Sequence, residues 1–369
     1  GVTDTEYYDT IKFDLHKYID IIDNKCKRYG KESEQITNNS ANGLYQTMKK
    51  YVISKKLKNM AISLSGGVDS MVLLHLAKCL KIDGFLEKVM AVHMEYINRD
   101  EASLETDMLI EWCAEKSIPL IVRKIDYMQR DEVAREFYEE ETRKARFGAY
   151  KFMMREYEVQ GFCLGHHHGD LGENVLMNLF KGRDILDMFV MDNDSEIEGV
   201  RLLRPLLAHP KSDIYEYAHW NHIPYFLDTT PDWSCRGVLR RKIMPSLTEQ
   251  YGSGIDRTLA KVGEQSRDWN HIIETMVIKP FLQKCERNDE CVWFEIDSIA
   301  MSQPRVFWQR VLIEIFHSVG KKMITGKNLD AMLEMLRRRF NTNALLYLNF
   351  SNGLTAEFNK NILSIKIKK

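Results

Sequence analysis

At 369 residues and 44% hydrophobic composition, the chain exceeds one typical domain and can bury a real core, so two domains plus an appendage are expected. Its 52 Lys and Arg balance 53 Asp and Glu, which excludes a strongly basic or acidic protein overall. Seven cysteines without a Cys-x-x-Cys pair argue against a disulfide framework or a zinc knuckle, and neither a membrane-length apolar run (~20 residues) nor a signal-peptide core stands in the sequence.

The expectation is therefore a soluble, cytoplasmic protein with no membrane partner. In chain order, Thr3 and Glu6 have capping-box spacing, and Ile11, Leu15, Tyr18 and Ile22 recur at helical intervals. One amphipathic helix is expected there. The polar stretch KESEQITNNSANG then reads as a linker, so residues 1–43 form the appendage.

From Leu44 the apolar runs MAISLS, VMAVHM, LIVRKID and GFCLGH alternate with longer amphipathic stretches. That rhythm predicts an α/β domain over 44–231, a parallel sheet with helices on both faces. Past Pro231 the pattern turns helical to about Lys284, followed by VWFEI, two helix-like stretches, and LLYLNF, LTAEF and ILSIKI separated by the turns SNG and NKN. Residues 232–369 are thus expected to form a smaller α+β domain ending in an antiparallel meander.

The segment SGGVDS (65–70) falls where the first strand meets the first helix, the edge at which α/β sheets present ligand sites. Gly66 and Gly67 allow main chain to approach an anion, Ser65 and Ser70 offer hydroxyls, and the helix N-terminus adds positive potential. Asp69 would repel phosphate unless a cation intervened, which makes it a candidate Mg2+ ligand. The segment is neither a Walker loop nor a dinucleotide fingerprint.

Further along, Asp170 and Glu173 share a helical face at i, i+3 spacing beside the fourth strand. They read as a carboxylate pair that could both point into a cleft and serve acid–base chemistry, or as acids complementing a helix dipole. His166, His167 and His168 are adjacent and cannot all face one metal, so substrate contact or an exposed loop are the open readings.

Arg143 and Arg146 share a face, suited to clamping phosphates or a base, or to pairing with Glu139 to Glu141. Arg236, Arg240, Arg241 and Lys242 form an acid-free basic set suited to RNA phosphates or to a purely solvated basic helix. From Lys321 to Lys369 ten basic residues face three acids, with Arg337, Arg338 and Arg339 in one run, a second candidate RNA surface or a solvated face.

SGGxDS after a first strand resembles the signature of the PP-loop ATP pyrophosphatases. Within them, GHHHGDLGENVLMNLFKG (165–182) resembles the GHHxDDxxET segment of the tRNA(Ile)-lysidine synthetase family, and TRKARFGAY (142–150) its REARY element. RLLRPLL (201–207) and RGVLRRKIMPSL (236–247) resemble its RPLL and RNxIRxxxLPxL elements, and HMEYINR (93–99) stands where HxNHxLR is usual. Gly169, Asn174 and Gly237 depart from the family's Asp, Thr and Asn.

The resemblance covers roughly residues 60–367. It implies an ATP- and Mg2+-dependent ligase that adenylates C2 of the wobble cytidine of a tRNA, isoleucine tRNA with a CAU anticodon, and joins it to free L-lysine. It places Asp69, Asp170, Glu173 and Arg146 in catalysis, and Ser65, Gly66, Gly67, Ser70, His93 and Arg143 on the nucleotide. His166, His167, Arg236, Arg240, Arg241, Lys242, Arg337 and Arg338 fall to the RNA or substrate. Homodimerisation is left open. The alternatives are tRNA thiolation on the same scaffold, whose enzymes use paired cysteines not found here, and a nucleotide-dependent RNA-binding protein without ligase chemistry.

Overall fold

The computed structural model describes residues 42–96, 102–126, 133–189, 191–226, 234–288, 291–318, 320–342, 344–350 and 353–367. The expected N-terminal helix and most of the linker lie outside the described residues. So do the end of HMEYINR and the start of the SNG turn.

Helix α1 (Gly43–Ser54) starts where the Asn42 side chain accepts from the Leu44 and Tyr45 amides, satisfying two of the donors that a helix start leaves open. The expected alternation then follows: β1 (Asn59–Ser63), α2 (Val68–Ile82), β2 (Lys88–Tyr96), α3 (Ala102–Glu115), β3 (Leu120–Ile125), α4 (Arg135–Tyr157), β4 (Phe162–Cys163) and α5 (His168–Phe180). A hairpin of β5 (Asp194–Ile197) and β6 (Val200–Leu203) precedes α6 (Lys211–Trp220). Strand order is β3-β2-β1-β4-β6-β5. Every pairing is parallel except β5 with β6.

Both faces are covered, as a parallel sheet requires. Met60 and Ile62 of β1 and Val89 and Ala91 of β2 pack with residues of α1, α2, α3 and α6. Ala61, Met90 and Val92, one position out of phase, pack instead with Phe147, Tyr150 and Met153 of α4. The polar edge strand DSEI carries no apolar alternation, and part of what holds it is a bidentate Arg201–Asp194 pair at 3.0 and 2.7 Å.

The chain divides into two compact units, the first ending at Gln265 and the second starting at Ser266. A helical stretch of Cys235–Val238, a π turn Leu239–Ile243 and Met244–Tyr251 leads into α7 (Ile255–Ile273). The second unit holds α8 (Arg305–Ser318) and α9 (Gly326–Arg339) with an antiparallel sheet. That sheet comprises β7 (Glu286–Arg287), β8 (Cys291–Glu295), β9 (Leu346–Asn349), β10 (Leu354–Asn359) and β11 (Ile362–Ile367) in the order β7-β8-β11-β10-β9. The stretch VWFEI is β8 and pairs with β11, so the terminal meander is three strands of a five-stranded sheet. Trp308 and Leu336 of its helices and Phe294, Leu363 and Ile365 of its strands share one core. The fold class is α/β followed by a smaller α+β unit.

Candidate active site

The sheet changes direction of winding between β1 and β4, the place where open α/β sheets hold ligands. Two loops meet there. Leu64 to Gly67 leave β1 and open α2, whose N-cap is Gly67 and which no described side chain caps.

Gly66 has φ of +81°, a left-handed conformation for which glycine carries no penalty, and a Cβ there would stand 2.7 Å from the Phe226 ring. The Gly66 carbonyl accepts from Phe226 N–H at 2.9 Å, which fixes the bend. Ser70 Oγ accepts from Ser65 N–H at 3.1 Å and donates to the Gly67 carbonyl at 3.0 Å, with Ser65 Oγ 3.1 Å away. His93 is buried on β2 and donates through Nδ1 to the Leu64 carbonyl at 2.8 Å. It holds the loop from behind.

Asp69, in the first turn of α2, pairs with Lys211 at the start of α6 through Oδ2. Its Oδ1 is buried and has no hydrogen-bond partner among the described residues. A phosphate cradle of uncapped amides with one unsatisfied carboxylate oxygen beside it fits a polyphosphate carrying a divalent cation.

The second loop follows β4. A Cβ on Gly165 would lie 2.9 Å from the Asp69 backbone and from Ser70 N, so only glycine lets this loop press against the first. His167 then caps α5, its Nδ1 accepting from Gly169 N–H at 3.0 Å, while Asp170 Oδ2 accepts from His167 N–H at 2.8 Å. Gly172 sets the packing of α5 on α7, since a Cβ there would meet Asp256 O and Leu259 Cβ at 3.3 Å.

Asp170 and Glu173 are both buried, and Arg240 bridges them, Nη2 to Asp170 Oδ1 at 2.8 Å and Nε to Glu173 Oε1 at 2.6 Å. Arg236 Nε stands 3.6 Å from Glu173 Oε2, which accepts no hydrogen bond from the described residues. Burial acts to raise the Asp170 pKa. His167 and His166, the His167 amide and Arg240 outweigh it and hold the carboxyl below its ordinary range.

His166 Nδ1 accepts from Arg204 Nε at 3.1 Å, and burial pushes its pKa down to about 4, so at neutral pH it is uncharged with its proton on Nε2. His167 is lowered too, by burial.

The candidate arginines divide. Arg146 donates to Tyr96 Oη at 3.0 Å, and Tyr150 one turn later donates to Ser63 Oγ at 2.8 Å, so this face of α4 lies over the C-terminal ends of β1 and β2. Arg143 turns to Glu198 at 3.0 Å and lies over Phe147. Arg240 and Arg236 face the carboxylates, whereas Arg241 and Lys242 are exposed. Arg337, Arg338 and Arg339 are exposed in the last turn of α9, with Arg338 paired to Glu334.

Two residues escaped the sequence reading. Lys211 is preceded by Pro210, the N-cap of α6, and a lysine opening a helix just after the RLLRPLL element was the available signal. Arg204, inside that element, orients His166 and also donates to Asp192 O and Ser195 Oγ at 2.6 and 2.9 Å.

Residues 37–247 match the family model described as PP-loop domain. The tRNA(Ile)-lysidine synthase of Chlamydia felis (strain Fe/C-56) is 28% identical over 266 residues, 71% of this chain and 80% of that protein. The enzyme of the same name from Chlamydia abortus (strain DSM 27085 / S26/3) is 29% identical over 71% of this chain and 80% of its own length. The solved U34-tRNA thiolase from Methanococcus maripaludis superposes with a TM-score of 0.47 at 20% identity, covering 66% of this chain and 88% of that one, too distant to bear on chemistry. The chain belongs to the PP-loop domain family, whose cofactors are ATP and Mg2+, and is a divergent member similar to tRNA(Ile)-lysidine synthases.

Proposed function

We propose that the protein is an AMP- and pyrophosphate-forming tRNA ligase that converts the wobble cytidine of a CAU-anticodon isoleucine tRNA to lysidine, using free L-lysine. The observation that carries this reading is the contact of the two loops at Gly165. A cradle suited to a polyphosphate stands directly against a loop that leads into a buried acid pair suited to an amine. The likeness to tRNA(Ile)-lysidine synthases supports tRNA as the substrate.

ATP, when bound, supplies the adenylyl group that turns the C2 oxygen of the cytidine into a leaving group. The uncapped amides at the start of α2 would receive its phosphates, Asp69 Oδ1 would hold Mg2+ and Lys211 would supply a second positive charge. His93 and the Ser65–Ser70 bonds keep that loop in shape.

Arg146, over the strand ends, is the catalytic arginine of this reading. Arg143 serves the nucleotide only by leaving Glu198. That pair is about half exposed and contributes under ~1 kcal/mol, which a phosphate contact exceeds. Neutral His166, with a donor at Nε2, suits a carbonyl or ribose oxygen of the substrate, and His167 positions Asp170.

Asp170 and Glu173 receive the lysine side-chain amine. Arg241, Lys242 and the exposed arginines of α9 contact RNA phosphates, so residues 232–369 carry the tRNA-binding role.

The test is mass spectrometry of nucleosides from tRNA incubated with the protein, ATP, Mg2+ and lysine. Lysidine with stoichiometric AMP and pyrophosphate is expected. A sulfur-containing nucleoside, or nucleotide binding with no pyrophosphate release, would overturn the reading.

A further inference from the structure

The acid pair has an unexpected electrostatic character. Both Asp170 oxygens are engaged, Oδ2 by the His167 amide at 2.8 Å and Oδ1 by Arg240 at 2.8 Å. Glu173 Oε1 is held by Arg240 at 2.6 Å. The oxygen left to meet a substrate is Glu173 Oε2, buried, without a hydrogen bond among the described residues, and with Arg236 Nε 3.6 Å away. Two carboxylates are thus balanced by two guanidinium groups before any amine arrives.

An alkyl ammonium placed at Glu173 Oε2 would sit beside both guanidiniums in a partly buried site, where like charge disfavours the protonated form. A free lysine side chain, with pKa ~10.4, is almost wholly ammonium at neutral pH and cannot attack carbon. The arrangement opposes the unreactive form. Resting on the functional reading above, we propose that Arg240, assisted by Arg236, is a positioning residue that causes the acid pair to take the substrate amine as the neutral nucleophile.

Glu173 Oε2 accepts one amine N–H and so aims the lone pair, and the ammonium proton leaves to solvent. The nitrogen lone pair then forms the C–N bond at C2 as the C–O bond breaks with its electrons going to AMP. The proton shed by nitrogen passes through Glu173 to water.

The charged and titratable groups around this point come from several elements: Asp170, His166 and His167 at the start of α5, Asp69 of α2, Lys211 of α6, Arg204 after β6, and Arg236 and Arg240. The guanidiniums stay charged across the working range, so they impose a constant bias. His166 and His167, both lowered by burial, remain neutral above pH 7 and do not cancel it.

The experiment is single-turnover amine transfer to preactivated tRNA as a function of pH, for the full chain and for Arg240→Gln, Arg240→Lys and Arg236→Gln, with circular dichroism confirming each fold. The inflection at which the rate stops rising with pH is expected to move up by about one unit or more in Arg240→Gln. It should stay at the wild-type position in Arg240→Lys, which keeps the charge and loses the fork, even where the rate is lower.

Arg236→Gln, which breaks no hydrogen bond to Glu173, should move it the same way by less, and answers the question if Arg240→Gln does not fold. Hydroxylamine, an amine already neutral at pH 7, should restore Arg240→Gln to within a few-fold of wild type. An unmoved inflection in both glutamine variants, or an equal shift in Arg240→Lys, would overturn this inference alone. Failure of wild-type protein to transfer any amine at any pH would instead overturn the functional reading beneath it.

Discussion

Arg236 to Lys242 and Arg337 to Arg339 look alike in the sequence, two basic runs on helices, and stand in opposite physical settings. In the first, buried Asp170 and Glu173 draw Arg240 and Arg236 inward, and only Arg241 and Lys242 remain outside. In the second, all three arginines are exposed at the C-terminal turn of α9, where cations complement the helix dipole. A run of charge therefore says little about its partner. What decides is whether a carboxylate lies buried within reach.

The strongest way to break this comparison is Arg240→Ala. Leaving two buried carboxylates without their bridging cation should destabilise the first unit by ~2–4 kcal/mol, the lower end allowing for the partial exposure of Arg240. Chemical denaturation would register it as a lower midpoint at unchanged slope, and an unchanged midpoint would put Arg240 in the same class as the α9 arginines.

Acid sharpens the contrast next. Burial holds His166 neutral down to about pH 4, whereas in the unfolded chain it titrates near 6.5. Below pH 6.5 the unfolded state thus binds more protons, and stability falls as pH drops toward about 4, by on the order of 2–3 kcal/mol from this group. His166→Gln should flatten that part of the stability curve. Asp170, with its folded pKa depressed, contributes stability that is full above the unfolded carboxylate range and lost as pH falls through the folded value, so its loss comes at lower pH.

The exposed cations should show the smallest stability effects. Arg241→Ala with Lys242→Ala, and Arg337, Arg338 and Arg339→Ala together, should each change unfolding free energy by no more than ~0.5 kcal/mol per site. Their measure is tRNA binding against salt, where each lost duplex phosphate contact removes ~0.9 from the log-log slope. A normal slope in the triple variant with a reduced one in the double variant would assign RNA binding to the first unit.

Much of the fold was legible because β1, β2 and β3 are apolar runs punctuated by glycine or polar turns, and the period of two separates Ile62 from Ala61 on opposite faces. The β5–β6 hairpin was not, since DSEI gains its place from Arg201 and from backbone pairing with β6, neither of which leaves a hydrophobic pattern. In the site, the phosphate cradle was readable from SGGVDS itself. The partners of its acids were not: Lys211 lies 142 residues from Asp69, and Arg240 lies 70 and 67 from Asp170 and Glu173. Arg240 was instead read as a phosphate contact, because nothing local in RGVLRRKIM points to distant carboxylates.

Gly169, at the place where the GHHxDDxxET pattern carries its first Asp, has a consequence for how this chain can change. Its absent Cβ leaves the space in which the His167 ring lies, Cε1 at 2.9 Å and Nδ1 at 3.2 Å from where that atom would be. The single substitution Gly169→Asp would therefore require the His167 ring to turn aside, with loss of the cap it makes on α5 in its present rotamer. Positions 167 and 169 are coupled through this rotamer: because GHHxDDxxET carries His and Asp together at these two places, an acid at 169 calls for a turned imidazole and not for a different residue at 167.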